Sequence, residues 1–241
     1  AAFFSAGNTG ATLIAAHSVF GMMPGVDRPA LATTIPTRHR DAVLLDVGAT
    51  IDCRPRHLLQ FAAMGTVYAE RVLGIANPRV GLLSIGEEAI KGNELTRDAH
   101  CLLSSSDIRF IGNLEARDLY SGDADVVVCD GFTGNVALKV SEGLVEVVED
   151  LLRDELNRTF TTQLGYLLSR RSYRRFRRRV DYSEYGGAPL LGVAGLAVVG
   201  HGRSSVKAVR NALALTHRFV NEDFVQSIDE SMSSLSSERR N

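Results

Sequence analysis

A doubly wound α/β protein with a mainly parallel sheet is predicted by three features of the sequence. Short apolar runs alternate with longer amphipathic stretches along the whole chain. Most of those runs are uninterrupted rather than alternating, the pattern of strands covered on both faces. Glycine and small polar residues follow nearly every run, as they do where a strand feeds a helix through a short turn.

The predicted strands, in order, are 2–5, 42–47, 80–85, 108–111, 125–129 and 196–199. Helical repeats lie between them. Leu58, Leu59, Ala62, Val67, Val72 and Leu73 recur at about 3.6 residues, as do Leu144, Val145, Val148, Leu151 and Leu152, and then Val206, Val209, Leu213 and Val220. The stretch 153–181 lacks a strand pattern. It is expected to be a helical pair standing off the sheet, with a turn at Gly165, an apolar tip at Leu164, Tyr166, Leu167 and Leu168, and a basic return arm. Residues 227–241 hold six serines and few large apolar groups and are expected to be disordered. The chain 1–241 reads as a single α/β domain that includes both segments.

Composition bounds the function. The 241 residues carry 27 Lys+Arg against 28 Asp+Glu, which excludes a protein built wholly to coat nucleic acid. The balance hides an asymmetry, since residues 170–179 read RRSYRRFRRR, with seven arginines and no acid. The remainder therefore carries −8 (−1 minus 7). A basic patch on an acidic body calls for a partner, and Arg174, Arg175 and Arg178 are candidate contacts. Cys53, Cys101 and Cys129 are widely spaced and form no metal-like cluster, which fits reduced thiols in a cytoplasmic protein. No window approaches the ~18 consecutive apolar residues of a membrane span.

The strand-end loops carry the chemistry. They are Ser5-Ala6-Gly7-Asn8-Thr9-Gly10, Asp46-Val47-Gly48-Ala49-Thr50, Ile85-Gly86-Glu87-Glu88, Cys129-Asp130-Gly131-Phe132-Thr133-Gly134-Asn135 and Gly200-His201-Gly202-Arg203-Ser204-Ser205. In a parallel sheet they share one edge, where open α/β sheets bind ligands. Glycine admits close backbone approach, and Asn, Thr or Ser caps the next helix, whose first amides favour an anion. The chain has no GxxxxGK[ST] and no GxSxG elbow, and Cys129 lies in an apolar strand. An anion site without a covalent nucleophile suits a reaction in which the anion itself attacks. Lys91 is expected to contact phosphate, with Glu87 accepting a proton or orienting Lys91, and Asn93 nearby. Asp46 and Asp130 are expected to orient donors, because carboxylates beside phosphate repel it.

Read together, SAGNTGA (5–11), LLDVGATIDC (44–53), the run 60–88, KGNE (91–94), DVVVCDGFTGNVALK (125–139), DYSEYGGAPLLGV (181–193) and GHGRSS (200–205) resemble the phosphate acyltransferase family of PlsX type. The resemblance implies a fold like that of isopropylmalate dehydrogenases and phosphotransacetylases. It also implies transfer of a long-chain acyl group from acyl carrier protein to inorganic phosphate, no metal or cofactor, and a homodimer. Ser5, Gly7, Thr9, Gly10, Gly48, Asp130, Gly131, Thr133, Gly134, Asn135, Arg203 and Ser204 become expected phosphate or acyl contacts. Asn8 and Lys91 become expected catalytic groups, and His201 an expected proton donor to the leaving thiolate. Family members begin with a further strand and Gly/Asp-rich loop upstream of SAGNTG, so this chain is expected to lack that part. The basic arm has two readings, an acidic carrier protein or an anionic membrane surface that would place a bacterial cytoplasmic enzyme at the bilayer. Two alternatives stand beside this one: a phosphotransacetylase using coenzyme A, and a non-catalytic scaffold for carrier protein or membrane.

Overall fold

The computed structural model describes residues 2–180, 186–200, 202 and 204–237. Among these residues eight strands form one sheet: β1 (Ala2–Ser5), β2 (Ala30–Ile35), β3 (Ala42–Leu45), β4 (Val80–Leu83), β5 (Phe110–Leu114), β6 (Val126–Val128), β7 (Ala188–Leu191) and β8 (Leu196–Val199). Their order across the sheet is β1-β8-β7-β2-β3-β6-β4-β5. Four of the seven pairings are parallel, and the three that involve β2 or β7 with β3, β8 or each other are antiparallel.

Among the described residues there are seven α-helices: α1 (Thr9–Phe20), α2 (Pro55–Leu73), α3 (Glu94–Ser104), α4 (Gly131–Asn157), α5 (Phe160–Val180), α6 (Val206–Asn221) and α7 (Phe224–Ser237). The pleat sends alternate residues of each strand to opposite faces. Val43 and Leu45 join α2, α6 and α7 in one core, while Ala42 and Leu44 join α1 and the first turns of α4 in the other. On the first face Tyr68 meets Phe219 and Phe224 at ring-centroid distances of 5.9 Å each, which pins α6 and α7 onto α2.

Three expectations change. The one-edge arrangement of loops fails because β2 and β7 reverse the direction of β1 and β8 relative to β3, β4 and β6. The hairpin is α4 with α5, and it turns at Arg158 and Thr159 rather than at Gly165, which sits inside α5. Thr159 and Thr162 exchange backbone amide-to-hydroxyl bonds of 3.1 and 3.2 Å, a reciprocal cap that starts α5 earlier. The serine-rich tail is helical to Ser237, because Phe224, Ile228 and Met232, spaced four apart, are buried at 1% exposure each. Residues 238–241 lie outside the described set.

Candidate active site

Although β8 and β3 run in opposite directions, their C-terminal ends meet at one level along β2. Leu45 pairs with Ala32, and Leu45 also pairs with Val128, so β3 and β6 end beside Ala32. Leu31 pairs with Leu190 and Ala188 with Val199, which sets the end of β8 beside Thr33, and Val199 pairs with Ser5 at the end of β1. The two half-sheets are staggered, each stopping near the midline. Three strand spacings, about 14 Å, separate the ends of β3 and β8.

A cavity of about 950 Å³ opens over this midline on the α1/α4 face. Thr9 opens α1, Gly48 follows β3, Asn135 lies in the second turn of α4, and Gly200, Gly202 and Ser204 lead into α6; all of these line it. Three helix N-terminal regions thus border one space, a setting in which fixed amide dipoles favour negative charge. Along α4 the lining residues Asn135, Leu138, Lys139, Glu142 and Val145 fall at spacings of three and four, one helical face.

The loop after β3 owes its shape to Asp46, whose side chain is fully buried. Its Oδ1 accepts from the amides of Leu31 (2.8 Å), Gly48 (3.1 Å) and Ala49 (2.9 Å), and its Oδ2 accepts from Thr50 (2.6 Å). Burial raises its carboxyl from 3.8 to about 6, against the lowering pull of those four amides. Gly48, at φ 127°, sits against Asn135, where an added Cβ would be 3.7 Å from the asparagine side chain. Gly134 packs so closely on the Asp46 carbonyl oxygen that any Cβ would collide with it. Cys129 and Cys53 do not line the cavity. Burial drives the Cys129 thiol well up and the Cys53 thiol to about 12, so neither forms a thiolate readily.

Other expected site residues serve the backbone. Asn8 caps α1, its Oδ1 accepting from Ala11 at 3.1 Å. Asp130 caps α4, accepting from the Thr133 amide at 2.9 Å and the Thr133 hydroxyl at 2.7 Å. Asn93 caps α3, accepting from Thr96 at 2.9 Å. The Ser5 hydroxyl accepts from the Gly7 amide at 3.3 Å, and Ser5, Gly7, Gly10, Gly131, Thr133 and Gly134 lie beside the cavity rather than in its lining. Glu87, Lys91 and Asn93 follow β4, five strand positions from β8, roughly 24 Å of sheet, but two from β3, about 10 Å, and none of them lines the cavity. Glu87 approaches Arg117 at 3.9 Å. His201 and Arg203 lie outside the described residues.

Glu87, Lys91 and Asn93 are absent from the cavity lining, and the strand order that sets their distance from it is not written in any single loop. Sequence reasoning missed Thr33, Tyr120 and Lys139, all of which line the cavity. The four-residue spacing of Asn135 and Lys139 was the available signal for the last. The hairpin carries its predicted apolar residues outward: Leu164, Leu167 and Leu168 are 48%, 63% and 80% exposed. Arg174, Arg175 and Arg178 are exposed as well. Among the described residues no helix is long and apolar enough to cross a membrane.

The architecture is that of the phosphotransacetylases. A phosphotransacetylase from Streptococcus pyogenes superposes with a TM-score of 0.58 at 16% identity, covering 92% of this chain and 61% of that one. A second, from Staphylococcus aureus, gives 0.52 at 14% identity, covering 88% and 58%. Sequence gives the narrower assignment. A family model described as fatty acid synthesis protein matches residues 1–227. Relatives named phosphate acyltransferase from Acidobacterium capsulatum and Citrifermentans bemidjiense are 52% and 51% identical over 95% of this chain, which spans 68% and 66% of their lengths. The chain belongs to this fatty acid synthesis family, whose curated bacterial relatives carry the name phosphate acyltransferase.

Proposed function

We propose that the chain transfers a long-chain fatty acyl group from acyl carrier protein to inorganic phosphate. The observation that carries this reading is the meeting of three helix N-terminal regions around one cavity. A phosphate oxygen attacks the thioester carbonyl carbon, the C–S bond breaks, and the carrier's thiolate leaves and takes up a proton. Phosphate is nucleophilic at neutral pH, so no serine or cysteine nucleophile is required. The protein's task is to hold phosphate against the carbonyl and to stabilise the tetrahedral oxyanion. Positioning supplies several kcal/mol, and each fixed donor about 3 kcal/mol. Asn135, Ser204 and the amides near Thr9 and Gly48 are the assigned donors, and His201 is the assigned proton donor. Lys91, which does not line the cavity, is given no part in the step.

The acyl donor and product are tested by free-thiol release from palmitoyl-carrier protein as phosphate is titrated, with arsenate in parallel. Saturable, phosphate-dependent release is expected. Release only from acetyl-CoA would make the chain a phosphotransacetylase, and release from neither would leave a scaffold. The exposed apolar and arginine-rich hairpin is assigned to contact with an anionic membrane by a homodimeric enzyme working at the cytoplasmic face.

A further inference from the structure

The same cavity extends well beyond its loop tips. It follows β2 from Leu31 to Ile35, four residue steps or about 13 Å, and continues past the strand end to Arg38. It follows α4 from Asn135 to Val145, about 15 Å. Its two ends differ in chemistry. Gly48, Asn135, Gly200, Gly202 and Ser204 form a polar end, whereas Ile35, Leu138, Leu144, Val145, Phe176 and Val180 line the part beneath the root of the hairpin, beside Arg38 and the Lys139–Glu142 ion pair.

That lower part is built, not incidental. The amide of Arg38 donates to the Tyr120 carbonyl at 3.0 Å, which ties the end of β2 to the segment after β5. Arg179 of α5 also lines this end, but its guanidinium donates to the carbonyl oxygens of Thr37 (2.8 Å) and Arg38 (3.1 Å). The charge is spent on the backbone and the methylene stem faces the groove. Arg177 and Glu149, 3.3 Å apart, hold α5 to α4 just beyond Phe176. Leu144 and Phe176 remain 61% and 48% exposed, an apolar surface continuous with the polar end of the cavity. A small anion alone leaves this surface bare; an acyl chain extending from the reacting carbonyl covers it.

The geometry points to the groove between β2 and the hairpin root as the seat of the donor's fatty chain, with Val145 and Phe176 at its far end setting the longest chain accepted. The inference rests on the function proposed above for the polar end. It is tested on the chain as it stands by displacing a dansyl-labelled undecanoic acid with unlabelled fatty acids of eight to eighteen carbons. Val145→Trp fills the far end and is expected to weaken the sixteen-carbon acid about tenfold while leaving the ten-carbon acid unchanged, the effect of a few methylenes denied their pocket. Phe176→Ala is expected to move the optimum to longer chains. Both positions are partly exposed, so neither change threatens the fold.

An equal loss at every chain length, or no displacement from the unaltered protein, overturns the inference. Phosphate-dependent thiol release, measured with decanoyl- and palmitoyl-carrier protein, separates the two readings. Turnover with an unmoved chain-length profile removes only the groove assignment. A shifted binding profile without turnover removes only the reaction.

Discussion

Asp46→Asn weighs two opposing terms that meet at one buried side chain. Asparagine keeps an oxygen for the amides of Leu31, Gly48 and Ala49, which all converge on Oδ1. It sets an NH₂ against the Thr50 amide, which now donates to Oδ2 at 2.6 Å. An unsatisfied buried donor costs about 1–3 kcal/mol. Against this, asparagine has no charge to bury. Raising the carboxyl from 3.8 to about 6 means that ionised Asp46 costs roughly 3 kcal/mol near neutral pH. The variant is therefore expected to lie close to the parent in stability at pH 7.5. Because the folded-state value is above the unfolded one, the native protein holds a proton that the unfolded chain has released between pH 3.8 and about 6. The parent consequently gains stability as pH falls through that window and loses it as pH rises, with slope ~1.4 kcal/mol per pH unit. Asparagine has no such gain. Urea denaturation at pH 7.5 and pH 5.0 is expected to show the gap between parent and variant opening by ~1.4 kcal/mol at the lower pH. Other titrating groups cancel in the difference. A gap that stays constant or closes on acidification would refute the balance of burial against amide donors assigned to this site.

Asn135→Ala is expected to raise the KM for phosphate at least about tenfold, the worth of one hydrogen bond to a charged group, with little change in the urea midpoint; an unchanged KM removes Asn135 from the anion site. Gly134→Ala places a Cβ into the Asp46 carbonyl and is expected to cost about 3 kcal/mol in chemical denaturation, at the upper end for overpacking. Ile228→Ala, at a fully buried position of α7, is expected to cost 2–5 kcal/mol, whereas a loosely held tail would show no effect. The paired change Leu167→Glu and Leu168→Glu is expected to abolish co-sedimentation with anionic liposomes without shifting the melting temperature, since both side chains are exposed; undiminished binding removes the lipid reading of the hairpin.

The strands that the sequence made legible are those whose neighbours cover both faces, such as Val126–Val128 and Leu196–Val199. The two that it hid, β2 and β7, carry prolines at or near their ends. Pro29 and Pro36 bracket Ala30–Ile35, and Pro189 sits within Ala188–Leu191, where proline argues against a ladder strand. Missing them had a directional consequence. Without two antiparallel strands in the middle, every strand end falls on one side, and the loop after β4 joins the site with Lys91 and Glu87. With them, β1 and β8 run against β3, β6 and β4, and the loop after β4, on the same edge as the β3 and β6 loops but two strand positions from β3, does not line the cavity.

Convergence of the remaining loops then depends on register rather than on strand direction. β8 and β3 point opposite ways, so sliding β7 and β8 two residues along β2 would draw their ends apart or drive them past each other by about 7 Å. A slip of one residue would turn Leu31, Thr33 and Ile35, which line the cavity, toward the opposite face. Thr34 resists that slip, because on the opposite face its hydroxyl meets the Tyr68 hydroxyl at 3.1 Å in the fully buried aromatic cluster. The packing of α2, α6 and α7 thus fixes which β2 side chains face the cavity on the other side of the sheet. Core and site are coupled through the alternation of a single strand.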